Sequence, residues 1–192
     1  DAETENNMEF MSGMEKEEQA EVTIAGDLCF AEDGFVLDHY DEVNDLAQCI
    51  SPKLLEITNA SDIFYVNHEY AISDRGASLA GKYYTFRAHP KRMELLKEMG
   101  TDLVALSNNH VYDYGEDAFQ DTMKLLKQAD IPYVGGGSNL EEAKKPGDIY
   151  LEMELRSGLS ERRMRKKFAI HHRREKTVPE FCLHMIRQRT IR

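Results

Sequence analysis

Ser107-Asn108-Asn109-His110-Val111-Tyr112-Asp113-Tyr114-Gly115 follows the apolar run Leu103-Val104-Ala105-Leu106. The apolar run reads as a buried strand, and the polar run places two amides, an imidazole and a carboxylate at its carboxyl end. Open α/β sheets take their ligands at that edge. A plainer reading is an Asn-rich turn in which Asp113 caps a helix beginning near Glu116. Only the neighbouring elements can separate the two.

Upstream, Val22-Thr23-Ile24-Ala25 reads as a short strand that runs into Gly26-Asp27. A carboxylate there, after a glycine that lets the backbone turn closely, is a place for a metal ligand or a base, or simply a turn residue. The apolar spacing from Asp41 to Ile57 predicts a helix, a break at Ser51-Pro52, and a second helix starting at the proline. Asp62 to Val66 is a further strand and ends on Asn67-His68-Glu69. His68 is a candidate ligand there, although a lone histidine beside a site is more often a hydrogen-bonding neighbour. Residues 71–89 read as a Gly- and Ser-dotted loop and an aromatic strand, either separate or paired as a hairpin, lying over the site. A helix over 91–99 closes on Gly100. Downstream, a helix over 116–129, a short strand over 131–134 and a helix over 139–144 complete an alternating pattern. Gly135-Gly136-Gly137 lacks the Lys-Ser/Thr of a phosphate-binding loop and reads as a turn.

Strand alternating with helix predicts an α/β fold with a largely parallel sheet. In such a sheet Asp27, Asn67 with Glu69, and Asn109 with His110 and Asp113 all lie at one edge, where they can converge. Carboxylate, amide and imidazole donors suit Mn, Mg, Zn or Fe rather than a thiolate site. Two divalent ions held this way can activate water for displacement at phosphorus, with a histidine protonating the leaving oxygen.

The order Gly26-Asp27, Asn67-x-Glu69, Ser107-Asn108-Asn109-His110 with Asp113-x-Gly115, then Ile131-Pro132 and Gly135-Gly136, resembles the bacterial capsule-synthesis family CapA, also called poly-γ-glutamate biosynthesis proteins. The resemblance covers about residues 21–146. It implies the calcineurin-like metallophosphoesterase fold, a two-sheet sandwich flanked by helices, of which this chain holds the N-terminal part. It also implies one or two divalent metal ions held by Asp27, Glu69 and Asn109, with His110 as catalytic acid and Asp113 orienting it. Asn67, His68 and Asn108 would line the site. The implied setting is the bacterial cell surface, with membrane polymer-synthesis proteins or an anionic polymer as partners. A non-catalytic accessory subunit, or an inactive fragment, is the alternative function.

Composition divides the 192-residue chain. Residues 1–147 carry 12 Lys and Arg against 29 Asp and Glu, a net charge of −17, whereas residues 148–192 carry 12 against 6, a net of +6. Three domains of behaviour follow: an acidic, disordered tail over 1–20, the CapA-like segment over 21–146, and a basic, poorly ordered tail over 147–192. Read one base earlier, the codons of Lys167 to Ile186 can encode a T-P-x-A…S-P-G…Y-D pattern like that of the family. The tail is thus expected to be a frame-shifted reading that leaves a sheet edge uncovered. No nucleic-acid partner is expected, because the basic tail has no interleaved aromatic platform. Cys29, Cys49 and Cys182 show no C-x-x-C spacing and predict no disulfide framework.

Overall fold

The computed structural model describes residues 20–145 in full and, as backbone strands only, 147–157, 160–170 and 189–191. The predicted acidic tail lies outside the described residues except at Ala20. Strand β1 (Ala20–Leu28) leads into three helices, α1 (Phe35–Val43), α2 (Leu46–Cys49) and α3 (Pro52–Ala60). Then come β2 (Ile63–His68), the short strands β3 (Ala71–Ile72) and β4 (Arg87–Ala88), a 3-10 turn Pro90–Arg92 and α4 (Met93–Glu98). β5 (Leu103–Ala105), α5 (Gly115–Gln128), β6 (Tyr133–Val134) and α6 (Leu140–Ala143) complete the alternation, followed by β7 (Gly147–Ser157), β8 (Ser160–Ile170) and β9 (Arg189–Ile191).

The expected α/β architecture is present. Five strands form one sheet in the order β6-β5-β2-β1-β9, parallel throughout except for β9, which runs antiparallel to the start of β1. β9 therefore covers the outer edge of β1 at Ala20–Val22, and β6 is the other edge. Among the described residues this is the one large sheet of the implied sandwich.

Alternation along the strands divides the core. Phe64, Val66, Val104 and Leu106 pack with Leu37, Leu46, Leu95, Leu96, Met123 and Leu126 from the helices. Ile63, Leu103, Ala105 and Val134 form a second cluster, joined by Val22 and Tyr65. Burying each of these larger aliphatic or aromatic side chains contributes roughly 1.5–3 kcal/mol, so the sheet is fixed in register by both faces.

Two local expectations need correction. The first helix begins at Phe35 and ends at Asn44, whose left-handed φ of 51° stops it well before the proline. Asp45 then caps α2 by accepting from the Ala47 N–H at 3.0 Å, which is what an Asn-Asp pair favours. The aromatic segment is not a hairpin: β3 and β4 pair in parallel, with residues 73–86 forming a long connection between them. Beyond the parallel sheet, β7 and β8 pair antiparallel over Gly147–Ser157 and Ser160–Ile170. Ile149, Leu151, Met153 and Leu155 alternate with polar residues except at Tyr150, a strand period that the tail's charge obscures.

One irregularity bears on function. β1 and β2 pair as Val22–Ile63, Thr23–Phe64 and Ile24–Tyr65, and then as Asp27–Asn67 and Leu28–His68. β1 thus carries one extra residue between Ile24 and Asp27, a bulge at Ala25-Gly26. Without it Gly26 would stand opposite Asn67, and Asp27 would face the helical core; with it Asp27 is turned onto the face of Asn67.

Candidate active site

The polar residues at the carboxyl ends of β1, β2 and β5 form one connected network. Asn108, just after β5, donates its side-chain amide to Asn67 Oδ1 at 3.1 Å and to the His68 carbonyl at 2.8 Å. Its Oδ1 accepts from the backbone N–H groups of His110 (3.0 Å) and Val111 (2.9 Å), folding the turn that presents His110. Asn67 passes the chain on, donating to Asp27 Oδ1 at 2.7 Å. Asn108 and Asn67 therefore fix the geometry of the edge, while the carboxylates face outward from it.

Asp27 and Glu69 stand together. The Glu69 N–H bonds to the Leu28 carbonyl at 2.9 Å, which brings Glu69 alongside the end of β1. Burial, followed by the charge of Asp27 and a hydrogen bond to it, raises the Glu69 carboxyl above the usual carboxylate range; His110 and Lys82 oppose this only in part. Two carboxylates pressed together in this way are what a cation between them would relieve.

His110 is held by Asp113. The His110 ring is 13% exposed, its Nδ1 lies 2.8 Å from Asp113 Oδ2, and the carboxylate, wholly buried, can only accept. Nδ1 is thus the N–H donor, and Nε2 is left to accept or release a proton on the other side of the ring. Phe86 covers His110, with ring centroids 4.4 Å apart, and the Phe86 N–H also donates to Asp113 Oδ2 at 2.7 Å. Lys82 pairs with Asp113 Oδ1 and donates to the Asn109 carbonyl. Asp113 accordingly does not cap α5: the N-cap position is Tyr114, without a side-chain cap bond. The plainer turn reading fails because this carboxylate points inward.

Not every predicted residue joins the site. Asn109 is exposed beside it and holds Lys82 through its carbonyl. His68 does not line the site. Strand alternation that puts Asn67 on the edge network puts His68 on the helical face, fully buried, with its ring 4.0 Å from that of Tyr70. Among the described residues neither ring nitrogen has a hydrogen-bond partner, and burial pushes the imidazole down to about 3. No motif in the sequence points to Lys82 or Phe86. Lys82 is the only charged residue between Gly76 and Phe86, a signal available in the sequence, but its target 31 residues away is a product of the fold.

The donor set fits a hard divalent cation at one side, through the carboxylates of Asp27 and Glu69. The fit is partial. Among the described residues no group of three or more His, Cys, Asp or Glu is gathered for a metal ion. Among the described residues Cys29 and Cys49 are free thiols. No helix among them is long and apolar enough to cross a membrane.

Comparison with known proteins gives relatives of one kind. Over 75 residues, 39% of this chain and 16% of the relative, the sequence is 37% identical to the capsule biosynthesis protein CapA of Bacillus anthracis. It is 31% identical over 97 residues to a probable polyglutamine synthesis accessory protein of Mycobacterium tuberculosis, covering 50% of this chain and 26% of that one. The PGA biosynthesis protein CapA of Bacillus subtilis matches at 29% over 90 residues, 46% of this chain and 24% of the relative. The matched segment thus spans about a quarter or less of each relative's length. A family model, bacterial capsule synthesis protein PGA_cap, matches residues 21–160, so family-like sequence continues past the change of composition near Gly147. With the sheet, the three-strand edge and the Asn-Asn-His turn in place, the chain belongs to the bacterial capsule synthesis protein family PGA_cap.

Proposed function

We propose that this chain carries part of a divalent-metal hydrolase site and serves in the making of a capsular poly-γ-glutamate polymer. The reading of the biological role rests on family membership and on the relatives' names, which place them in capsule, PGA and polyglutamine synthesis. The chemical reading rests on one observation above the others: the Asp113–His110 pair stands close enough to Glu69 for its charge to be felt there, and Glu69 in turn feels the charge of Asp27. Asp27, Glu69 and Asn109 would hold the metal. When bound, it would neutralise those carboxylates and lower the pKa of a coordinated water.

The chain's own residues supply the rest. Asn108 and Asn67 hold the edge in register, and the bulge at Gly26 aims Asp27. Asp113 selects the His110 tautomer, so that Nε2 can deliver a proton to the leaving oxygen of a phosphoester or related substrate. Phe86 shields one face of the ring from water. The alternative reading is a non-catalytic accessory role, the word used in the name of the mycobacterial relative.

Metal binding separates the two readings. Equilibrium dialysis of the full chain with Mn, followed by elemental analysis, is expected to retain at least one ion per chain. Asp27→Ala and Glu69→Ala should each lose it, while His110→Ala keeps it. Retention in all four proteins, or in none, would sink the metal-site reading.

A further inference from the structure

A cleft of about 300 Å³ beside β4 is lined by Glu32, Ser73, Asp74, Arg87, His89 and Lys91. Phe86 packs on His110, but the next residue, Arg87, lies across the Tyr114 ring, its guanidinium carbon 4.2 Å from the ring centroid. Stacking of this kind holds the guanidinium plane while leaving its edge N–H groups able to donate. His89 Nδ1 accepts from the Lys91 N–H at 3.1 Å, which makes Nε2 the protonated nitrogen of a neutral ring. The Lys91 ammonium completes a set of three donors on the cleft.

Of the two lining carboxylates, Glu32 does not cancel that set. Glu32 is spent on Arg92, which it meets with both oxygens at 3.1 and 3.0 Å, and on the His89 N–H at 2.8 Å. Among the described residues neither Arg87 nor Lys91 has a carboxylate within ion-pair distance; the arginines that do, Arg75 and Arg92, point elsewhere. Ser73 donates its hydroxyl to Asp121. Asp74, exposed at the cleft, is the one lining carboxylate without an ion pair among the described residues.

We propose that this cleft is an oxyanion-binding site, taking a carboxylate or phosphate group of a small ligand edge-on against Arg87, with His89 and Lys91 as further donors. It stands apart from the metal reading: it uses none of Asp27, Glu69, Asn109 or His110. Its nearness to His110 is through Phe86 and Arg87, adjacent residues facing opposite ways.

Isothermal titration calorimetry of the full chain, in chelator so that no metal contributes, tests it with inorganic phosphate in one arm and glutarate in the other. Saturable binding of one ion per chain is expected in at least one arm, and the arm that saturates names the group. Arg87→Gln should weaken it at least about tenfold, and Lys91→Gln by a smaller factor. Asp74→Asn, which removes the rim's negative charge, should tighten it. If Arg87→Gln does not fold, the opposite signs of the exposed Lys91→Gln and Asp74→Asn substitutions decide the question. No saturation in either arm overturns the proposal, as does an affinity indifferent to all three substitutions.

Discussion

Replacing Asp113 by alanine removes the acceptor at the centre of the His110 turn, and its cost can be worked from the contacts. The carboxylate is wholly buried and receives three donors: the Phe86 N–H at 2.7 Å, His110 Nδ1 at 2.8 Å, and the Lys82 ammonium. Hydrogen bonds to a charged group contribute about 1.5–3 kcal/mol each, and removing one partner of a buried pair costs about 3–5 kcal/mol. Lys82 is 27% exposed and can turn to water, which discounts its share. The Phe86 N–H and the His110 ring have no such escape. We therefore expect a loss of about 3 kcal/mol, close to a 10 °C fall in Tm for a domain of this size. Asp113→Asn keeps an acceptor for Phe86 and should cost roughly half as much, while withdrawing the charge that favours the Nδ1–H tautomer. Urea unfolding measures the first quantity, and nitrogen-15 NMR of the His110 ring reports the second. A loss below about 1 kcal/mol in Asp113→Ala, or an unchanged ring tautomer in both variants, would refute the positioning role.

Other perturbations probe the frame around the site. Thr122 Oγ1 accepts from the Ile72 N–H at 2.9 Å and donates to the Ala118 carbonyl at 2.8 Å in a fully buried position, so Thr122→Val should cost about 1–3 kcal/mol in urea unfolding; a neutral result would mean that β3 is not anchored on α5. His68→Phe should leave Mn binding intact and hold or raise Tm, since the buried imidazole has no described hydrogen-bond partner; loss of Mn would return His68 to the site. Arg92 meets Glu32 and Asp41 with paired hydrogen bonds, which hold both carboxyls below their usual 4.5 and 3.8. Because these folded-state values are depressed, their stabilisation is present above the ordinary carboxylate range and is lost as pH falls through the lowered values. Wild type should thus lose more stability than Arg92→Met between pH 5 and pH 2, and parallel acid-unfolding curves would contradict the clamp.

Local pattern carried the fold class and the gathering of most candidate residues at one sheet edge. Alternating apolar and polar runs set the order of strands and helices, and parallel strands bring their carboxyl ends to one edge whatever the detailed packing. That sufficed to group Asp27, Asn67, Glu69, Asn108 and His110 from the sequence alone. It also foretold Pro52 at the start of α3 and Gly100 after α4, because proline and glycine act through backbone dihedrals that need no distant partner.

What the tertiary structure decided was direction. Asn67 and His68 are neighbours in the sequence and equally polar, yet strand alternation sends one to the edge network and the other into the core. Only the pairing register could say which. The same holds for Asp27, whose face depends on a single extra residue opposite Tyr65–Asn67. Lys82 reaches Asp113, and Phe86 reaches His110, across a loop whose path is set by β3 and β4 pairing in parallel. A sequence specifies which groups are available and roughly where each segment ends; which side chains meet is a long-range outcome, fixed when both faces of the sheet are buried at once.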